Sequence, residues 1–398
     1  MSPASDNASR GPLGLRLDCR HYRGDRPCRA GIQGACPRAC TAFEPLGDRI
    51  LVIKLAALGD VIRTAAILPG LKRYWPHSHI TWVSRPSGVR VLSGHPLIDR
   101  LLPFDAESLC HLELERFDLC LSLDKEPAPA ALAMRIAAPD KRGIGLGPFG
   151  TPFPLNPECE RYFLLGLDDR AKFHENRASY PQLIYEALGL EYRGERYRLH
   201  PPGDACRRAA DVWHRLGVEP DDVIVGLNTG AGRVFANKNW PPEKYAALAA
   251  RLLAEPGLRV ALLGGPDEEE QNKRIAAACP GALLTGSHHD EPTFAALVRR
   301  CQALVTGDTM AMHVAIAADV PCVVLFGPTC EQEIDLFGRG EKVRTTLPCS
   351  PCYRRTCDFS PSCMDDISLA RVLAAVRRWL PTRVKSQTVT LPVLESVS

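Results

Sequence analysis

Hydrophobic positions along the chain fall into two series. From Arg49, short apolar runs alternate with amphipathic segments: RILVIKL (49–55), ITWVS (80–84), RLLPF (100–104) and LCLSL (119–123) read as strands, with helices or loops between them. A second series follows the polar, proline-containing HPPGD (200–204). Here DVIVGLN (222–228), LRVALLGG (258–265), ALLTG (282–286), ALVTGD (303–308) and VPCVVLFGPT (320–329) are strand candidates beside helical segments such as PPEKYAALAARLLAE. This rhythm predicts an α/β protein of two Rossmann-like, doubly wound parallel-sheet units. They face a cleft lined by the carboxyl ends of both sheets, where such sheets bind ligands. ISLARVLAAVRRWL (367–380) has apolar residues at helical spacing and stops before Pro381. The expected division is a cysteine-containing extension 1–48, a first unit 49–203, a second unit 204–366, a terminal helix 367–381 packing back toward the first unit, and a tail 382–398. The tail and residues 1 to about 16 carry no such pattern and are expected to be unstructured.

Composition narrows the function classes. Among 398 residues, 49 Lys and Arg stand against 46 Asp and Glu, a net charge of +3 that gives no overall field for a nucleic-acid partner. No run approaches eighteen apolar residues and the N-terminus lacks the apolar core of a signal peptide, so the expected location is the cytoplasm. Sixteen cysteines in a reducing compartment point to metal binding rather than disulfides.

Four stretches carry candidate chemistry. In LVIKLAALGDVIRTAAILPGL (51–71) a strand runs into a helix at a single glycine, Gly59, followed by Asp60. Asp60 reads either as a helix cap or as a carboxylate aimed into the cleft to accept a proton. The missing G-x-G-x-x-G argues against a dinucleotide site here. In NTGAGRVFANKNWPPEKY (228–245), Thr229, Gly230, Ala231 and Gly232 permit close approach to a ligand, and Lys238 supplies a point charge suited to phosphate; the alternative is a solvated loop. In LLGGPDEEEQNKR (262–274), the acids at the turn read as helix-start carboxylates, or one of them, Glu268 or a neighbour, as a ligand for a ribose diol. In TGDTMAMHVAIAADVPCVVLFGPT (306–329), the backbone N–H groups of Thr309, Met310 and Ala311 form a candidate anion site. Asp308 there suits a sugar hydroxyl, and His313 is either a core residue or a ligand contact.

In this order and spacing, from residue 49 to about 380, these stretches resemble glycosyltransferase family 9, the heptosyltransferases that extend the inner core of lipopolysaccharide. The cysteine-rich CSPCYRRTCDFSPSCMDDI belongs to the same match. The resemblance implies a GT-B fold with the acceptor on the N-terminal domain and the nucleotide-sugar on the C-terminal one. It implies inverting transfer from ADP-L-glycero-D-manno-heptose to a lipopolysaccharide core acceptor, with no catalytic metal, at the inner face of the cytoplasmic membrane. By position, Asp60 matches the catalytic base, Lys238 the lysine on the donor phosphates, and Glu268 the ribose-binding acid. Asp308, Thr309, Met310 and His313 match the donor-binding loop, with Thr229 and Gly230 on the same side. Because such acceptors are acidic, Lys54, Arg63, Arg85 and Arg90 are candidate acceptor contacts. A related transferase acting on a protein or another surface glycan, and a catalytically silent nucleotide-sugar or metal-binding module, are the other readings.

Two cysteine groups remain. Cys19, Cys28, Cys36 and Cys40, with His21 nearby, precede the first unit, and Cys349, Cys352, Cys357 and Cys363 follow the last strand candidate. Each set has enough thiolates for a structural zinc ion or an iron–sulfur cluster, though neither has regular C-x2-C…C-x2-C spacing; reduced thiols packed as small apolar groups are the alternative.

Overall fold

A computed structural model describes residues 12–37, 39–230 and 236–381. Residues 1–11, the tail from Thr382, and Ala231 and Gly232 of the second stretch lie outside these.

The first sheet has the order β3-β2-β1-β4-β5-β6. Its strands are β1 (Arg49–Ile53), β2 (His79–Ser84), β3 (Arg100–Pro103), β4 (Leu119–Ser122), β5 (Asp140–Leu146) and β6 (Pro152–Pro154). Only β6 runs antiparallel, against β5. Ile50 to Ile53 are fully buried, as a central parallel strand covered on both faces requires. The second sheet, β12-β11-β10-β7-β8-β9, is parallel throughout. It comprises β7 (Val223–Asn228), β8 (Leu258–Leu263), β9 (Leu283–Leu284), β10 (Ala303–Gly307), β11 (Cys322–Phe326) and β12 (Gly340–Arg344). Three strands, β5, β6 and β12, were not in the hydrophobic pattern. They lie at or next to sheet edges, where one half-solvated face tolerates sequences such as DKRGIGL and GEKVR.

The strand orders fix where chemistry can occur. Each chain path turns back once, between β1 and β4 in the first sheet and between β7 and β10 in the second. At such a switch point neighbouring connections leave in opposite directions and open a crevice beyond the strand ends. Lys54 and Asp124 stand at the first crevice, Asn228 and Gly307 at the second.

The helices that shape the cleft are α1 (Leu58–Thr64), α2 (Pro86–Leu92), α3 (Tyr180–Ala187), α4 (Pro242–Leu253), α5 (Glu269–Ala278), α6 (Glu291–Arg299), α7 (Met310–Ala317) and α8 (Leu369–Trp379). Helix α3 starts at a capping box in which Ser179 and Gln182 bond each other's backbone N–H. Across the cleft α1 packs on α7 and α2 on α6, and one apolar core runs from Ile62 and Leu68 through Tyr185 to Met312 and Ile316. Arg90 clamps the same junction with two 2.7 Å bonds to Glu291, which uses up one candidate acceptor contact. A strap from the first domain reaches the second: Gln332 donates to the Lys172 and Phe173 carbonyls, and Phe173 stacks on Tyr353 at 4.8 Å.

The terminal helix does not turn back toward the first domain. Val372, Ala375 and Val376 of α8 are fully buried with Val323, Leu325 and Val343 of the second sheet. The apolar stripe of α8 finds the outer face of β10, β11 and β12 uncovered and seals it. Trp240 pins the connection: it is fully buried, packs edge-on against Tyr245 at 5.1 Å, and its Nε1 donates to the Ile367 carbonyl at 3.0 Å. Replacing Trp240 with Ala is therefore expected to cost about 3–5 kcal/mol in denaturant unfolding. A loss below about 1 kcal/mol would show that the C-terminal segment is held by something else.

Candidate active site

Asp60 occupies the third position of α1, where its carboxylate accepts from the Ala57 N–H at 3.4 Å and so does cap the helix. It is also an ion-pair partner, 2.8 Å from the Arg63 guanidinium, with its side chain 34% exposed. Burial pushes its pKa up, but Arg63 and Lys54 prevail and hold it down to about 2, so it is ionised at neutral pH. The cap fixes the carboxylate's direction, and a third of the side chain stays open to solvent.

Arg63 lies flat over the Tyr180 ring at 3.6 Å and has a second acid, Glu333, at 3.9 Å from the other domain. Lys54 behaves differently from an acceptor contact. It is buried, pairs with Asp124 and donates to the Ala56 carbonyl at 2.8 Å, while the other Asp124 oxygen takes the Leu55 N–H at 2.6 Å. Lys54 and Asp124 thus tie the β1–α1 turn to the end of β4, and neither is free for an external ligand. Arg85 is about half exposed, 3.9 Å from the solvated Glu126. Of the candidate acceptor cations, Arg63 alone stays at the cleft wall beside Asp60.

On the opposite wall, Asn228 at the end of β7 bridges the switch point, its amide donating to the Thr306 hydroxyl at 3.1 Å and reaching the Thr309 hydroxyl at 3.5 Å. This orients the start of α7, whose first backbone N–H groups have no intrahelical partners. Lys238, at the end of a short 3-10 turn, lies 3.1 Å from the Asp308 carboxylate. Burial pushes the Asp308 pKa up, but Lys238 outweighs it and the group stays ionised. Glu268 caps its own turn through Gly265 N–H at 2.8 Å and rests against Gly230, where a Cβ would stand 2.2 Å from its carboxylate. Gly230 is therefore glycine because Glu268 occupies its side-chain space. Burial raises the Glu268 pKa. Thr229 is turned away from the cleft: it is fully buried and its hydroxyl donates to Asn272 of α5 at 2.6 Å. It shapes the loop and offers a ligand no side-chain contact.

The two walls touch at Gly59. A Cβ on Gly59 would sit 2.7 Å from the His313 ring and 3.6 Å from the Met310 Cα, so the starts of α1 and α7 touch through the missing side chain. His313 is buried, with its Nδ1 3.2 Å from the Tyr197 hydroxyl. Burial, helped by Arg63, lowers its pKa to about 4, leaving a neutral ring that feels Asp308, Asp60 and Lys238 together. Both catalytic candidates and the anion-facing helix thus surround one uncharged histidine. Beside them, against the strap, opens a cavity of about 700 Å³ lined by Phe173, Arg177, Thr329 and Arg344.

Asn228, Asp124, Tyr180 and Tyr197 were not among the candidates. A polar residue closing a buried apolar run, as in VGLN and LSLD, is the signal that marks two of them. Both cysteine sets are free thiols, and each lines a single cavity, about 40 Å³ for Cys19, Cys28, Cys36 and Cys40 and about 320 Å³ for Cys349, Cys352, Cys357 and Cys363. Among the described residues, no group of three or more His, Cys, Asp or Glu is already placed around a metal position.

Comparison with known proteins gives a common answer. The pattern of glycosyltransferase family 9 (heptosyltransferase) matches residues 173–362. Lipopolysaccharide heptosyltransferase 2 of Escherichia coli K12 is 36% identical over 312 residues, covering 71% of this chain and 83% of that protein. The crystal structure of a family 9 glycosyl transferase from Veillonella parvula superimposes with a TM-score of 0.69 at 22% identity, covering 83% of this chain and 97% of that one. The E. coli heptosyltransferase WaaC with ADP-2-deoxy-2-fluoro heptose does so with a TM-score of 0.55 at 19% identity, covering 83% and 99%. The architecture is that of the two-domain GT-B fold.

The contact at Gly59 is directly testable. Gly59→Ala must displace the His313 ring or part the helices, an expected cost of about 1–3 kcal/mol in stability and about 100-fold in turnover. Wild-type melting temperature and turnover in this variant would show that the two helix starts do not touch.

Proposed function

The chain belongs to glycosyltransferase family 9, and from that premise we propose that it is an inverting, metal-independent transferase. It moves a heptose from ADP-L-glycero-D-manno-heptose to a lipopolysaccharide core acceptor. The observation that carries this reading is the arrangement around His313, with the Asp60 carboxylate on one wall and Lys238 and the start of α7 on the other. The first unit, 49–203, holds the acceptor, and the second, 204–366, holds the donor.

In the reaction an acceptor hydroxyl attacks the anomeric carbon from the face opposite the diphosphate. The sugar–oxygen bond breaks with its electron pair going to ADP, and the hydroxyl proton passes to Asp60. A carboxylate with a pKa near 2 is a weak base. It suffices because the sugar passes through an oxocarbenium-like state: the attacking oxygen becomes acidic only as its new bond forms, so the proton leaves late. An always-ionised carboxylate also steadies the cationic sugar. Charge gathering on the departing diphosphate meets Lys238 and the N–H groups of Thr309 and Met310, which supplies the electrostatic stabilisation a metal would otherwise give. Glu268 receives the ribose diol, Asp308 a sugar hydroxyl, and Arg63 an anionic group of the acceptor. The lipid-anchored acceptor is met at the inner face of the cytoplasmic membrane; among the described residues no helix is long and apolar enough to cross a membrane.

A thermal-shift panel tests the donor side. ADP at about 100 times its dissociation constant is expected to stabilise the protein by about 2.7 kcal/mol, with UDP and GDP at the same concentrations giving little. Lys238→Ala is expected to weaken ADP binding tenfold or more. An equal response to all three nucleotides would remove the ADP assignment, and unchanged ADP affinity in the variant would remove Lys238 from the diphosphate site.

A further inference from the structure

Residues 12–48 fold without the means to hold themselves together. Among their described residues the regular structure is one 3-10 turn at Pro12–Gly14 and a single bridge between Cys19 and Pro45. Among the described side chains of this lobe, Cys19 is the one buried apolar group, while Leu13 and Leu17 are exposed. A segment of this size with no hydrophobic core needs a covalent or metal staple to stay folded. Cys19, Cys28, Cys36 and Cys40 are all unpaired, so the staple is not a disulfide.

We propose that these four thiolates hold one structural zinc ion. They line one small cavity of about 40 Å³, a size suited to a single ion. Three of them begin a tight backbone turn. The Cys19 carbonyl accepts from Tyr22 N–H at 3.0 Å, Cys28 from Gly31 at 2.9 Å and Cys40 from Phe43 at 3.3 Å. Gly31 has φ +78°, the left-handed turn that lets a chain fold back past a ligating sulfur. His21 lies in the same cavity but is 3.2 Å from Glu44, leaving the sulfurs as the donor set. The thiols surround the cavity without converging on a point, so loading draws the loop inward by moving side chains on already bent backbone.

Charge supports a tetrathiolate. Zinc with four thiolates carries −2, and residues 12–48 hold six arginines (Arg16, Arg20, Arg23, Arg26, Arg29, Arg38) against four acids, Asp18, Asp25, Glu44 and Asp48. Four sulfur donors select a thiophilic, tetrahedral ion. The lobe's position makes the site structural. Arg20, next to Cys19, donates to the His77 and Ser78 carbonyls and pairs with Asp99, at the starts of β2 and β3. Asp60 and Asp308 stand at the opposite, carboxyl ends of their sheets, so this ion cannot reach the reacting atoms.

The test uses the full chain, expressed with added zinc and purified under reducing conditions. Zinc per chain is measured in wild type and in the Cys28→Ser/Cys36→Ser double variant, which leaves the Cys349 set intact. Zinc is expected to fall by one equivalent and the melting temperature to drop, with turnover per folded molecule unchanged. Mass-spectrometric alkylation of the wild type needs no variant: Cys19, Cys28, Cys36 and Cys40 should be protected until a chelator is added. Equal zinc in both proteins, equal alkylation with and without chelator, or iron accompanied by acid-labile sulfide at this lobe would each overturn the proposal.

Discussion

The geometry of this protein depends on one close approach, that of Gly59 to His313 and Met310. Two α/β domains can face each other at many angles. Here the helix that follows β1 and the helix that follows β10 meet end to end, and only a residue without a Cβ lets them do so. Both helices present their positive ends at this point, a mutually repulsive arrangement. Each carries an aspartate there, Asp60 in the first turn of α1 and Asp308 just before α7, and each aspartate keeps a cation beside it. The result is a charge-balanced junction, and in the proposed reaction the diphosphate lies on one side of it and the attacking hydroxyl on the other.

His313 is the spacer in this junction, and its neutrality matters. Burial keeps the ring uncharged through the physiological range, so it adds no third positive charge between Asp60 and Asp308 and does not compete with the donor for Lys238. The polar residues around it hold backbone rather than ligand: Lys54 with Asp124 at the first switch point, Asn228 with Thr306 and Thr309 at the second. The proposed active residues are held in place because these supporting groups are hydrogen-bonded to one another.

Much of this was legible in the sequence, and the exceptions are instructive. The central strands declare themselves because burial on both faces demands unbroken apolar runs, whereas β5 and β12 do not. Asp60, Lys238, Glu268 and Asp308 are identifiable because each follows a strand end in a recognisable order. What local pattern could not show was pairing at long range. Lys54 looked like a free cation until Asp124, 70 residues away, took it; Arg90 found Glu291, 201 residues on. Thr229 sat in the right loop and pointed the wrong way, a matter of rotamer rather than composition. The stripe on α8 announced a helix that buries one face but not which sheet it buries it against.

The cap and the proposed base are the same carboxylate, and the two roles can be separated. Asparagine at position 60 keeps the acceptor for the Ala57 N–H and the volume of the side chain, but cannot take a proton. The decisive measurement is single-turnover heptose transfer from ADP-heptose by Asp60→Asn, with ADP affinity determined on the same protein. A rate about 100-fold or more below wild type, with ADP affinity changed less than about twofold, is the expected result. Transfer within a few-fold of wild type would contradict the account, because the carboxylate would then be a cap and nothing more.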